Sequence, residues 1–119
     1  MPPAPNSPSW SARWCWPTKH LPRPWNYYAY FRKVIDLRTK PQRAIVRVSA
    51  DARYTLYVNA KRVHMGPARS YPEFQSFDTL DLTPYLTTGF NALCAICHQF
   101  GIPTFQLRNV FGAPRSFGT

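Results

Sequence analysis

The segment ADARYTLYVNAKRVHMGPARS, residues 50–70, decides the fold. Tyr54, Leu56 and Val58 alternate with Thr55, Tyr57 and Asn59. A two-residue period of this kind marks a strand buried on one side only. Asn59 and Ala60 break the run, and asparagine tolerates the positive φ of a tight hairpin turn. Alanine tolerates it less well than glycine, so the turn is expected to be strained or wider than two residues. Lys61, Arg62 and Val63 begin the return strand, Gly66 and Pro67 close it, and Ala68, Arg69 and Ser70 follow as loop.

The flanking chain supplies further strands. In residues 28–37, YAYFRKVIDL, one face carries Ala29, Phe31, Lys33, Ile35 and Leu37, and the other carries Tyr28, Tyr30, Arg32, Val34 and Asp36. After a polar turn containing Pro41, residues 43–50 read as a strand with Ala44, Val46, Val48 and Ala50 inward. Residues 71–80 read as irregular, anchored by Phe74 and Phe77. In residues 81–86, DLTPYL, one helical turn is expected, with Thr83 as N-cap and Pro84 as its first residue, where a missing N–H costs nothing; Gly89 ends it. Residues 91–99 form a strand and residues 104–110 a last one. Near the start, Trp14, Cys15 and Trp16 before Pro17 read as a short edge strand, and residues 19–24 as a proline-broken linker. The expected organisation is a disordered leader over 1–13, a β-sandwich domain over 14–110 and a loose basic tail over 111–119.

A chain of 119 residues is one domain or part of one. Its thirteen prolines, more than twice the usual ~5%, and its aromatic content of 16% favour an all-β fold over a helical one. No apolar run approaches the ~20 residues of a membrane helix. The first residues contain no apolar h-region, so no secretory signal is expected and a cytoplasmic location is. Three cysteines, an odd count without framework spacing, suit reduced thiols there. The net charge is +10; thirteen of the fifteen basic residues lie between Arg13 and Arg69, offset only by Asp36 and Asp51. Such a balance attracts nucleic acid or an anionic surface, and equally describes a solvated face. Tyr27, Tyr28, Tyr30 and Phe31 beside Arg32 and Lys33 are residue types that stack bases and hold phosphates. A nucleic-acid-binding β domain is therefore the alternative function. No RNP-type signature accompanies these residues, and an aromatic strand beside Trp25 equally builds a core, so nucleic acid is not the expected partner.

Residues 94–98, CAICH, match the C-x-x-C-H haem-attachment pattern. In a strand, positions 94 and 97 point to opposite faces, so the expectation is no haem, with both thiols acting as small apolar packing groups. Cys15, His20 and His64 lack zinc-ligand spacing, and no metal is expected. No G-x-S-x-G elbow is present. Glycoside hydrolysis needs two carboxylates flanking the scissile bond. Of the five acids, Asp81 sits where a turn wants it, Asp36 and Asp51 sit at strand ends, and no two stand out as a working pair. No catalytic residue and no cofactor are expected.

Taken together, WCWP (14–17), YFRK (30–33), ADARYTLYVN (50–59), GPARS (66–70), FD (77–78), LDLTPYL (80–86), GFN (89–91) and HQFG (98–101) resemble the N-terminal β-sandwich module of bacterial α-L-rhamnosidases and related glycosidases. The resemblance runs from about residue 14 to 101. Its DLTPYL turn and G-x-N strand are shared by many galactose-binding-like jelly rolls; Ala60 departs from the usual glycine of the V-N-G turn. The resemblance implies an all-β, jelly-roll-like antiparallel sandwich. It further implies a non-catalytic accessory domain of an α-L-rhamnosidase-type glycoside hydrolase. In such enzymes the acidic pair belongs to a separate helical barrel, which this sequence lacks, so a truncated piece without glycosidase activity of its own is expected. A sandwich cut short would lack strands and expose an unpaired edge. The partners implied are a rhamnose-containing glycan or a glycosidase catalytic domain, and no membrane. The matching segments that fall in loops or at strand ends give Trp16, Arg69, Ser70 and His98 as carbohydrate-binding or domain-interface residues, an aromatic face with fixed polar groups. For Arg69 an ion pair with Asp78 or another acid is the alternative role.

Overall fold

Six strands and one short 3₁₀ turn run through residues 9–15, 17, 26–68 and 75–99, the residues described by the computed structural model. They are β1 (Tyr27–Leu37), β2 (Ile45–Val48), β3 (Arg53–Val58), β4 (Lys61–Gly66), β5 (Asp78–Asp81), the 3₁₀ turn (Thr83–Tyr85) and β6 (Gly89–Gln99). All pairings are antiparallel. One sheet has the order β1-β6-β3-β4 and the other pairs β2 with β5. The expected all-β class is what the chain adopts, as two unclosed sheets facing each other. No helix among the described residues is long and apolar enough to cross a membrane.

The alternation read from the hairpin is the alternation of the core. Tyr54, Leu56 and Val58 are all buried, whereas Thr55 and Tyr57 are only half-buried. Ala50, Leu82 and Leu86 join them, and around this nucleus pack Ile35 and Leu37 of β1, Val46 and Val48 of β2, Leu80 of β5, and Leu93, Ala95 and Cys97 of β6. Fully burying a Val or Leu side chain stabilises the fold by roughly 1.5–3 kcal/mol, so this shared interior holds the two sheets together. Register places Leu56 opposite Ala95 and Val58 opposite Leu93, both pairs facing inward.

The hairpin turn is the narrow, strained one. Val58 pairs with Lys61, and Asn59 and Ala60 both have positive φ, 49° and 65°. This is the mirror-image two-residue turn whose twist matches its flanking strands. The irregularity falls instead between Leu56 and Tyr57, which pair with His64 and Arg62 and leave Val63 as a bulge residue. A left-handed alanine costs about 1–2 kcal/mol, part of which glycine loses again through chain entropy. Ala60→Gly is therefore expected to raise unfolding stability by about 0.5–1 kcal/mol. Urea titration checks it; an unmoved or lower midpoint would show that the turn carries no such strain.

Asparagines pin this turn to the opposite end of β6. The Asn59 N–H donates to Ala92 O at 2.9 Å, and Ala92 N–H returns a bond to Asn59 Oδ1 at 3.0 Å. Asn59 Nδ2 donates to Tyr85 O (2.9 Å) and to Asn91 Oδ1 (2.8 Å). Asn91 is 1% exposed, and its own amide donates to Thr87 O and Gly89 O.

Three local expectations are corrected. Residues 78–81 are a strand, where the sequence predicts the end of an irregular segment at 80 and the start of a helical turn at Asp81: β5 exists because β2 offers it a partner, Leu80 facing Val46. Thr83 is not an N-cap; Leu82 precedes the turn and no side chain caps it. Thr83 instead accepts the Ala44 N–H at 2.9 Å and donates its hydroxyl to Asp81, whose carboxylate also accepts the Thr83 N–H. These bonds, the hydroxyl foremost, hold the Asp81 carboxyl below the usual carboxylate range. Trp14 and Cys15 are not in a strand, because among the described residues no sheet edge pairs with them; Trp16 lies outside those residues.

Candidate functional site

The residues around one end of the sandwich are brought together by the arm 9–15. On β2, Ile45 and Arg47 face outward, opposite Asp81 and Thr79 of β5. Beyond the paired residues, Ser49 Oγ donates to Ser76 O at 2.7 Å and ties the two segments together. Phe77 stands exposed beside them and receives Trp10 in a T-shaped contact, ring centroids 5.3 Å apart at 85°. Between arm and sheet lies a hollow of about 510 Å³, lined among others by Trp10, Arg13, Trp14, Arg47, Gln75 and Phe77. Trp10 and Trp14 are both about half exposed, at 46% and 52%. A smaller hollow of about 220 Å³ shares Arg13 and Trp14 and reaches inward to Asp51, Cys97 and Gln99.

Polar groups at this end are braced. Asp51 accepts from Gln99 Nε2 at 2.7 Å through one oxygen and from Gln75 Nε2 at 3.4 Å through the other. Gln99 is 3% exposed, so one carboxylate links the end of β6 to the segment preceding β5. Cys97 lies on the core side, and burial, with the nearby Cys15 second, pushes its thiol up to about 11. Cys94 stands opposite Arg32 and Tyr57 in the register and so on the other face of the sheet, the separation the haem argument needed.

Of the four residues singled out from sequence, Trp16, Arg69 and Ser70 lie outside the described residues. His98 is described. Its ring stacks on Tyr28, centroids 4.2 Å apart and 11° between planes, with Nε2 3.0 Å from Asn26 Oδ1. Burial first, and the charge of Arg53 second, hold its pKa below the ordinary histidine value, which keeps the imidazole neutral at pH 7. His98 also borders the smaller hollow. Asp78, the acid considered for Arg69, accepts the Tyr54 hydroxyl at 2.5 Å and stands 3.5 Å from His64 Nε2. The residues that sequence reading missed are Trp10, Arg13, Trp14, Arg47 and Gln75. The available signal was two tryptophans four apart at the edge of a segment taken as leader, since disordered segments are poor in such side chains.

A second surface is the outer face of the larger sheet. Tyr28, Tyr30 and Val34 of β1 are exposed there, and Phe90 of β6 stands opposite Asp36 on the same side. Tyr30 and Phe90 are about three-quarters exposed, at 74% and 77%.

No protein-family model and no curated protein matches this chain. A solved structure does. The crystal structure of a GH78-family rhamnosidase from Bacillus sp. GL1 shares 32% sequence identity with it, at a TM-score of 0.75. The similarity covers 83% of this chain and 10% of the enzyme, so the chain spans about a tenth of the length of the protein it matches. The rhamnosidase resemblance read from residues 14–101 thus holds in fold and in sequence.

Proposed function

We propose that this chain is a non-catalytic accessory β domain of a rhamnosidase-type glycosidase, one that holds carbohydrate beside a separate catalytic domain and packs against it. The observation that carries the reading is the 32% identity and common fold with a tenth of a rhamnosidase. The aromatic hollow at the arm supports the carbohydrate role, since sugar sites join an aromatic face to a few fixed polar groups. The exposed aromatic face of the larger sheet supports packing on another domain. Three of the four described carboxylates, Asp51, Asp78 and Asp81, are held in hydrogen bonds to the fold itself, which fits a structural more than a catalytic use. Kinship with a rhamnosidase does not favour the nucleic-acid alternative.

Calorimetry with rhamnose-containing oligosaccharides tests the reading. Heat of binding is expected from the 119-residue chain, and Trp14→Ala is expected to weaken it at least tenfold. An aryl rhamnoside should be left intact. Measurable rhamnoside cleavage, or silence toward every saccharide tried, would remove the proposal.

A further inference from the structure

We infer that the larger hollow recognises an anionic saccharide, a sugar bearing a carboxylate, with Arg13 and Arg47 receiving the charge and the indoles receiving a ring face. The inference rests on the carbohydrate-holding role proposed above and names the class of ligand.

Charge is the first argument. Among the described residues, no carboxylate lies within ion-pair reach of Arg13 or Arg47. Asp51 lines the adjoining hollow and not this one, its carboxylate held there by Gln75 and Gln99. Two arginines lining one concavity of a chain with net charge +10 raise the local concentration of anions. A planar guanidinium binds a carboxylate in a two-pronged, charge-assisted geometry. A neutral sugar would leave that capacity facing water.

Shape and lining are the second argument. An anion alone needs no tryptophan. Here Trp10 is steadied by its T-shaped contact with Phe77, and Trp14 lines the same space with half its surface open. The apolar C–H face of a pyranose fits such a wall, and the Ser49 oxygen, its proton given to Ser76 O, keeps lone pairs to accept from a sugar hydroxyl. The volume of about 510 Å³ lies within the ~300–1,000 Å³ of small-ligand pockets. Aromatic walls, neutral hydrogen-bonding groups and two cations together select an acidic sugar over either a bare anion or a neutral glycan.

The test compares two oligosaccharides of equal length, one neutral and rhamnose-containing, the other carrying a uronic acid in place of one sugar. Calorimetry on the full chain at physiological salt is expected to show the acidic ligand bound at least tenfold tighter. Arg47→Gln and Arg13→Gln should each shrink that preference, read as the ratio of the acidic to the neutral ligand's affinity. Arg62→Gln, on β4, should change neither. Equal affinity for the two ligands would overturn this inference and leave the accessory-domain role standing. A loss in Arg62→Gln matching that in Arg47→Gln would also overturn it, as attraction to overall charge. Binding of neither ligand would remove both readings. Circular dichroism of each variant separates a lost site from a lost fold.

Discussion

Asn91→Ala is expected to destabilise the protein by about 3 kcal/mol, among the largest effects of any polar substitution here. The side chain is 1% exposed, and both of its polar atoms are in use. Oδ1 accepts from Thr87 N–H and from Asn59 Nδ2, each at 2.8 Å. Nδ2 donates to Thr87 O at 2.8 Å and Gly89 O at 2.9 Å. Alanine removes these four bonds, and a longer one from the Thr87 hydroxyl to Oδ1 at 3.4 Å, and leaves their partners behind in a half-buried setting. Each buried group deprived of its partner costs about 1–3 kcal/mol, softened where water reaches it. Domains of this kind have ~5–15 kcal/mol to lose, so the variant sits near the edge of folding. Denaturant titration is the measurement, with Thr88→Ala on the exposed loop as a control expected within 0.5 kcal/mol of the parent. A loss below about 1 kcal/mol in Asn91→Ala would mean that the asparagine pair does not hold the turn to β6.

Tyr54→Ala is expected to cost about 3–5 kcal/mol, and Tyr54→Phe about 1–2 kcal/mol. Tyr54 is 1% exposed and sits in the shared core, so truncation to alanine leaves a large cavity. Phenylalanine keeps the ring and removes only the hydroxyl bonded to Asp78. The pair also differs in pH dependence. Burial raises the Tyr54 pKa well above its ordinary value of 10.0, with the Asp78 hydrogen bond and charge adding to the rise. The native state therefore holds this proton where the unfolded chain has released it. The corresponding stability is fully present below pH 10, and it is lost as pH climbs from there toward the native pKa. Tyr54→Phe should show a shallower decline than the parent above pH 10. Parallel declines in the two proteins would rule out Tyr54 as the source.

Periodic features were readable without coordinates. The faces of β1, β2 and β3 followed from alternation alone, because burial on one side of a strand writes itself into every second residue. Other features depend on partners distant in sequence. The segment 78–81 reads as irregular chain running into a turn until Ile45–Val48 lies beside it. Thr83 has a capping residue's chemistry, but Ala44 competes for its oxygen and wins. Ala60 shows why a turn can be foreseen and its geometry missed: alanine disfavours positive φ, yet the strands on either side impose it. The hollow was the least legible part. Its walls come from the arm, the end of β2 and the segment before β5, and no spacing rule joins them. His98 was found by position, but its ring is committed to Tyr28.

Among the described strands the neighbour of the first is the last: β1 pairs along its whole length with β6, from Tyr27 opposite Gln99 to Leu37 opposite Gly89. On the ribosome the tyrosine-rich ribbon must therefore wait for its mate, on the order of seconds at ordinary elongation rates. β3 waits too, because β6 is the slat between them. Until β6 emerges, the β3–β4 hairpin and the small β2–β5 sheet have all their strands and the larger sheet does not, so the tyrosines of β1 lack their neighbour. Emergence of β6 is then the event that lets the described larger sheet close at once.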